Sequence, residues 1–232
     1  MVMLKRNDVR AKNAITLIWI VMGLEILTLG SNYMQYSLLQ KIASGIEITA
    51  AEATLNDTRV QLIAIVCLVA MVVSIVTFIQ WFRRAYYNLH QCADNLSHSE
   101  GWAAGSWFVP ILNLFRPYQI MLELYSRTST LLSKHDIQVR KYLDTQFLGF
   151  WWTLWIINNF LGNYTFKSSM KTESIDSMLN VCLVEMVGNI IMIVLSLITI
   201  RVIKDYSLNE SLLFDLSEKT EEDVTTAAEG IA

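Results

Sequence analysis

The chain has 232 residues, of which 53% are hydrophobic and 17% charged, with a mean hydropathy of +0.39. That excludes an ordinary soluble domain, in which about a quarter of the residues carry charge. With two prolines and nine glycines there is no long flexible linker, so a single all-α polytopic membrane domain is the simplest reading.

Residues 1–13 form a basic, cytoplasmic head holding Lys5, Arg6, Arg10 and Lys12. The apolar segment 14–34 follows. It reads as a retained first span, because no small-x-small cleavage site follows its apolar core. Gln35 to Arg59 reads as a polar, weakly acidic outer connection with Glu47, Glu52 and Asp57 against Lys41 and Arg59. The second span, 60–82, is free of charge and closes on Trp81, Arg83 and Arg84, an aromatic ring followed by a positive pair that prefers the inner side. Ala85, Tyr86, Leu89 and Ala93 continue the helical spacing until Asn95 to Glu100 breaks it.

Residues 101–143 form the unusual element. The uncharged run Trp102 to Phe115 is shorter than the roughly 20 apolar residues a span needs. It is therefore expected as an inner-side re-entrant or interfacial hairpin turning near Pro110. From Pro117 to Leu143 an amphipathic helix is expected, with Ile120, Met121, Leu124, Leu131 and Leu132 on one face and Arg127, Lys134, Arg140 and Lys141 as positive charge. The third and fourth spans are 147–163 and 178–203. Asp205 to Ala232 holds eight acidic residues and one lysine and is expected to be a disordered, acidic, cytoplasmic tail. With four spans and both termini inside, 14 of the 18 Lys and Arg residues fall on one side, as the positive-inside rule asks.

Cys67 and Cys182 lie in apolar segments and Cys92 in a charged connection, which suits packing better than a disulfide framework. His90, His98 and His135 lack metal-ligand spacing. No metal, cofactor or nucleic-acid partner is expected.

The stretch Trp81-Phe-Arg-Arg-Ala-Tyr-Tyr-Asn-Leu89, then Gly101-Trp102, then Trp107-Phe-Val-Pro-Ile-Leu-Asn-Leu-Phe-Arg-Pro-Tyr-Gln119 and Glu123, resembles the bacterial membrane-protein family known as domain of unknown function 4328. The likeness is densest over residues 81–125 and extends as a pattern of spans over about Val60 to Ile203. It implies a bacterial inner-membrane location and transfers no activity or site.

Two residue sets could carry function. Glu25, Asn158, Asn159, Glu185 and Asn189 are polar groups within the spans. Buried carboxyl groups there are costly unless they hold a cation or a proton, or act with amides as hydrogen-bonded glue between helices. On the inner side, Arg83, Arg84, Asn88, Asn113, Arg116, Tyr118, Gln119 and Glu123 could hold an anion such as a lipid phosphate, Arg116 standing beside a helix N-terminus. The structural account has Arg116 or Arg84 paired to Glu123 and Asn113 capping the bent backbone. No nucleophile elbow, P-loop, HExxH or paired catalytic carboxylates occur, so an enzyme is not expected. The expected role is a membrane interaction, regulatory or scaffold protein engaging lipids, anionic ones among them, or partner proteins from the inner side, as a homo-oligomer or with a protein partner in the membrane. The alternative is an oligomeric ion channel or small transporter using Glu25 and Glu185.

Overall fold

The computed structural model describes residues 4–171 and 174–229, with side chains as far as Ser217. Glu173, in the connection before the fourth expected span, and the acidic side chains from Glu218 onward lie outside the described residues. The described residues form six α-helices: α1 (Asp8–Ala43), α2 (Ala50–Cys92), α3 (Trp102–Gly105), α4 (Arg116–Lys134), α5 (Thr145–Ser169) and α6 (Ile175–Glu229), with a 3-10 turn at Leu112–Leu114. Among the described residues there is no strand.

Helices α1 and α2, and α6 over Ile175–Ser217, are long and apolar enough to cross a membrane. At about 1.5 Å per residue, each exceeds a bilayer's hydrocarbon core of about 30 Å. Helix α5 is not among these three; Asn158, Asn159, Asn163 and Lys167 dilute its 25 residues.

Local chemistry places the helix ends. The connection expected over Gln35 to Arg59 shrinks to residues 44–49, because α1 stops in a Schellman turn. Gly45 has φ +76; its N–H donates to the Ile42 carbonyl at 3.0 Å and the Ile46 N–H to the Lys41 carbonyl at 3.0 Å. The chain re-enters helix through a capping box: the Thr49 N–H donates to Glu52 Oε2 at 2.9 Å, and the Glu52 N–H to Thr49 Oγ1 at 3.2 Å. A second Schellman turn ends α4 at Lys134 rather than near Leu143, with Asp136 at φ +55 and the Ile137 N–H donating to the Leu132 carbonyl at 2.9 Å. Helix α5 starts where Asp144 accepts the Gln146 N–H at 2.9 Å and the Phe147 N–H at 3.3 Å.

The chain divides into two compact units. The first comprises the described parts of Met1–Ile15, Val76–Phe150 and Ile200–Ala232. Its core joins Trp81, Phe82, Tyr86 and Leu89 of α2, Ile120, Met121, Leu124 and Leu132 of α4, and Val202, Ile203, Tyr206 and Leu213 of α6, all fully buried. The apolar face of α4 is thus spent on its own unit. Burying each large side chain contributes about 1.5–3 kcal/mol. Residues 205–217, expected in a disordered tail, are helical. Tyr206, Asn209, Glu210, Leu212, Leu213 and Leu216 recur at helical spacing and are buried, so this segment has an apolar face to bury that its acidic composition masks. Leu212 and Leu213 form a cluster with Leu132, against which Leu4, Cys92, Leu131 and Ile137 pack.

Between α3 and α4 the chain folds into a hairpin. Ile111 has φ 69 and ψ −51, and the Leu112 N–H donates to the Pro110 carbonyl at 2.8 Å. This is a γ-turn of the rare, strained hand, which costs a β-branched residue on the order of 1–3 kcal/mol.

The second unit comprises Thr16–Ile75 and Trp151–Thr199. Its helices keep many large apolar side chains outward, among them Leu62, Ile65, Val66, Leu68, Val69 and Val72 of α2. A helix apolar on its outer surface suits a lipid solvent.

Candidate functional site

Within the second unit, four helix faces converge on one cavity of about 330 Å³. Helix α1 supplies Glu25, Thr28 and Asn32; α2 supplies Ile63, Ala64, Cys67 and Met71; α5 supplies Asn158, Leu161, Gly162 and Thr165; α6 supplies Glu185, Gly188, Asn189 and Met192. Each set repeats at three or four residues, so one stripe per helix faces the space. The two small residues Gly162 and Gly188 would meet nothing within 4 Å if given a Cβ. They widen the cavity rather than seat another backbone.

One hydrogen-bonded chain crosses the site. Asn32 Nδ2 donates to Asn189 Oδ1 at 3.0 Å, and Asn189 Nδ2 donates to Glu25 Oε2 at 2.7 Å. The central amide is therefore used at both ends, and Glu25 is oriented by a neutral donor. Glu185 takes no protein hydrogen bond among the described residues and borders the cavity. Thr28 donates to the Leu24 carbonyl at 2.8 Å and meets Cys67 Sγ at 3.3 Å. Asn158 Nδ2 approaches Met192 Sδ at 3.7 Å, a weak contact. Two carboxyl groups and several amides therefore share an otherwise apolar wall. Among the described residues, no group of three or more His, Cys, Asp and Glu is placed to hold a metal ion.

Of the polar residues singled out within the expected spans, Glu25, Asn158, Glu185 and Asn189 border this cavity. Asn159 does not. Being consecutive to Asn158, it points about 100° away on the helix, and its Nδ2 donates to the Trp155 carbonyl at 2.8 Å on the exposed side. Sequence reasoning did not single out Thr28, Ser31 and Asn32, which also line the cavity. It also missed Arg59, whose guanidinium donates to Ser31 Oγ at 3.1 Å, the Ser31 carbonyl at 3.2 Å and Asn56 Oδ1 at 2.7 Å. The i, i+3, i+7 recurrence of Glu25, Thr28 and Asn32 was the available signal.

The inner-side constellation is dispersed through the first unit. Arg83 pairs with Glu100 at 3.2 Å, Arg84 lies 5.9 Å from the Tyr87 ring, and Arg116 lies 4.8 Å from the Trp102 ring. Tyr118 Oη approaches Gly149, where an added Cβ would sit 3.5 Å from it. The Asn113 N–H donates to the Val109 carbonyl at 3.0 Å, and neither the 3-10 turn nor α4 has a side-chain cap. Gln119 lines an open groove with Ser97, His98 and Glu123. Neither Arg84 nor Arg116 reaches Glu123. Its carboxylate instead accepts from Tyr86 Oη at 2.6 Å, the Ser97 N–H at 2.8 Å and Ser97 Oγ at 2.9 Å, with His98 Nδ1 4.0 Å away. Burial alone would push this carboxyl up, but the Tyr86 and Ser97 donors outweigh it and hold it below the usual value. Burial, then the Arg116 charge, pushes His98 down.

Asn88 has a different partner altogether. Fully buried, it accepts the Lys5 N–H at 2.9 Å and donates to the Lys5 carbonyl at 2.9 Å and to Glu210 Oε1 at 2.8 Å. Asn7 Nδ2 donates to the same carboxyl group at 3.1 and 3.0 Å and to the Trp81 carbonyl at 3.2 Å. The N-terminal segment is thereby clipped to α2 and α6. Glu210, read from sequence as a tail residue, is 3% exposed and is the centre of that clip.

The chain matches the family described as domain of unknown function 4328 over residues 44–207. No curated protein and no solved structure matches it.

Proposed function

We propose, for a chain that belongs to the domain of unknown function 4328 family, that its membrane-embedded cavity binds a small monovalent or organic cation between Glu25 and Glu185. The observation that carries this reading is that Glu25 of α1 and Glu185 of α6 both line one cavity. A carboxylate in apolar surroundings is costly when alone. A cation entering the cavity offsets that cost, and amide oxygens such as that of Asn158 supply further ligands. The hydrogen bond from Asn189 holds Glu25 in place without neutralising it.

This reading takes α5 as a fourth span and puts both termini on the cytoplasmic face of a bacterial inner membrane, supported by 14 of 18 basic residues falling on that side. Passage of the cation, as opposed to binding, requires a homo-oligomer, since four helices enclose only a narrow path. No catalytic step is part of it. The experiment is a titration of purified protein in lipid nanodiscs with sodium, potassium and methylammonium chloride. At least one should raise the melting temperature, and Glu25→Gln or Glu185→Gln should weaken that cation's apparent affinity roughly tenfold or more, about 1.4 kcal/mol. Equal responses from wild type and the double variant would sink the idea.

A second reading, a regulatory or scaffold protein engaging lipids or partners from the inner side, draws support from a different surface. The apolar side chains of α4 are buried, whereas those of the preceding hairpin are exposed.

A further inference from the structure

Hairpin residues Phe108 and Ile111 are each 73% exposed, and Val109, Leu114 and Phe115 between 38% and 43%. No charged residue lies between Glu100 and Arg116. The γ-turn at Pro110 to Leu112 holds Ile111 outward at the tip even though its φ of 69 is unfavourable for a β-branched residue. A tip of this kind in water would leave large apolar side chains solvated with no compensating contact.

The base of the hairpin fixes its depth. Trp107 packs edge-on against Phe78 at 5.5 Å and Phe82 at 6.1 Å. Both belong to the last turns of the uncharged run of α2 that ends at Arg83 and Arg84. On the other strand of the hairpin, the first charge is Arg116, whose guanidinium lies over the Trp102 ring at 4.8 Å and whose Nε has no hydrogen-bond partner among the described residues. An aromatic ring with an arginine beside it is the arrangement found at headgroup level. The base of the hairpin at Trp107 therefore lies beside the end of the apolar run of α2.

We infer that the 108–115 hairpin is a lipid wedge, with Phe108, Ile111 and Leu114 seated among the acyl chains of one leaflet and Arg116 at the phosphates above them. Its occupant is lipid, because the exposed apolar tip stands on Trp107, which packs on Phe78 and Phe82 at the end of the uncharged run of α2. A protein partner would cover the tip only in a complex. The wedge rests on α2 being a membrane span and not on any ligand in the Glu25 cavity.

The test uses the full chain in nanodiscs of phosphatidylcholine and phosphatidylglycerol, with Cys67, Cys92 and Cys182 replaced by alanine and single cysteines spin-labelled at Phe108, Leu114, Val69 and Lys134. Accessibility to oxygen and to a water-soluble nickel chelate is compared by electron paramagnetic resonance. At 108 and 114 the oxygen-to-nickel ratio should exceed that at 134 severalfold and approach that at 69. A ratio at 108 and 114 equal to that at 134, with 69 protected, overturns the wedge while leaving the span intact. If 69 is also open to nickel, the span reading itself fails. Should the cysteine-free background not fold, the same comparison is made by quenching a fluorescent non-canonical amino acid placed at each of these positions in the native-cysteine protein. Low accessibility to both reagents at 108 and 114 would show a protein partner or second copy over the tip and would likewise overturn the lipid assignment.

Discussion

Glu123 shows how little a residue's identity says about its partner. By spacing it faced Arg116 and Arg84, yet Tyr86 and Ser97 satisfy it at 2.6 to 2.9 Å, because the break after α2 folds residues 97–98 back over α4. The same folding half-buries His98, and the two groups give the first unit a common pH sense. Glu123 has a folded pKa below the ordinary carboxyl value of 4.5, so its contribution is complete above that value and lost as pH falls through the folded pKa. His98 has a folded pKa below 6.5 and favours the neutral imidazole in the fold, so its protonation opposes folding as pH falls below 6.5 toward the folded value. Melting temperature should therefore fall on acidification, beginning below pH 6.5 and steepening below 4.5. Glu123→Gln should flatten the lower part of that profile and His98→Gln the upper part, a pair of effects read directly from melting curves at stepped pH. A Glu123→Gln profile as steep as wild type below pH 4.5 would remove Glu123 from this account.

At the scale of elements, the helix ends were partly legible. Thr49 and Glu52 form the Thr-x-x-Glu signature of a helix start, and Gly45 stands where a helix stop places glycine. Reading by hydropathy passed over both and left a long connection, since polar residues such as Gln40, Thr54 and Asp57 ride on the exposed surface of helices that continue beyond the apolar run. At Gly45 a Cβ would touch nothing within 4 Å, and the only penalty is its φ of +76. Gly45→Ala should therefore destabilise the protein by about 1–2 kcal/mol, measured as a lowered unfolding midpoint in denaturant. A midpoint that stays or rises would mean that the turn adopts another conformation. Helix α6 carries the same lesson further: composition pointed to a tail, while Leu212, Leu213 and Leu216 at helical spacing mark a buried face.

For the whole molecule, placement across the bilayer is open to one direct measurement. Single cysteines added in residues 44–49 and 135–144 of the cysteine-free chain should differ in reaction with a membrane-impermeant thiol reagent on intact cells. The first should label and the second only after lysis; labelling of both, or of 135–144 alone, would reverse or remove the positive-inside assignment. The sequence by itself determined that the chain is all-helical and membrane-like, belongs to its family, and carries costly carboxyl groups in apolar runs. The helical, membrane-like character and the carboxyl groups in apolar runs follow from composition and periodicity, which act locally; the family is legible in the motifs between Trp81 and Glu123. Only the tertiary structure decided that Glu25 and Glu185 share a cavity, that Asn159 does not, that Glu210 clips the N-terminal segment through Asn7 and Asn88, and that the apolar face of α4 is consumed internally while the hairpin before it is not. Those outcomes depend on the rotation of each helix about its axis and on which distant faces meet, where a turn of about 100° moves a side chain from a cavity to the surface.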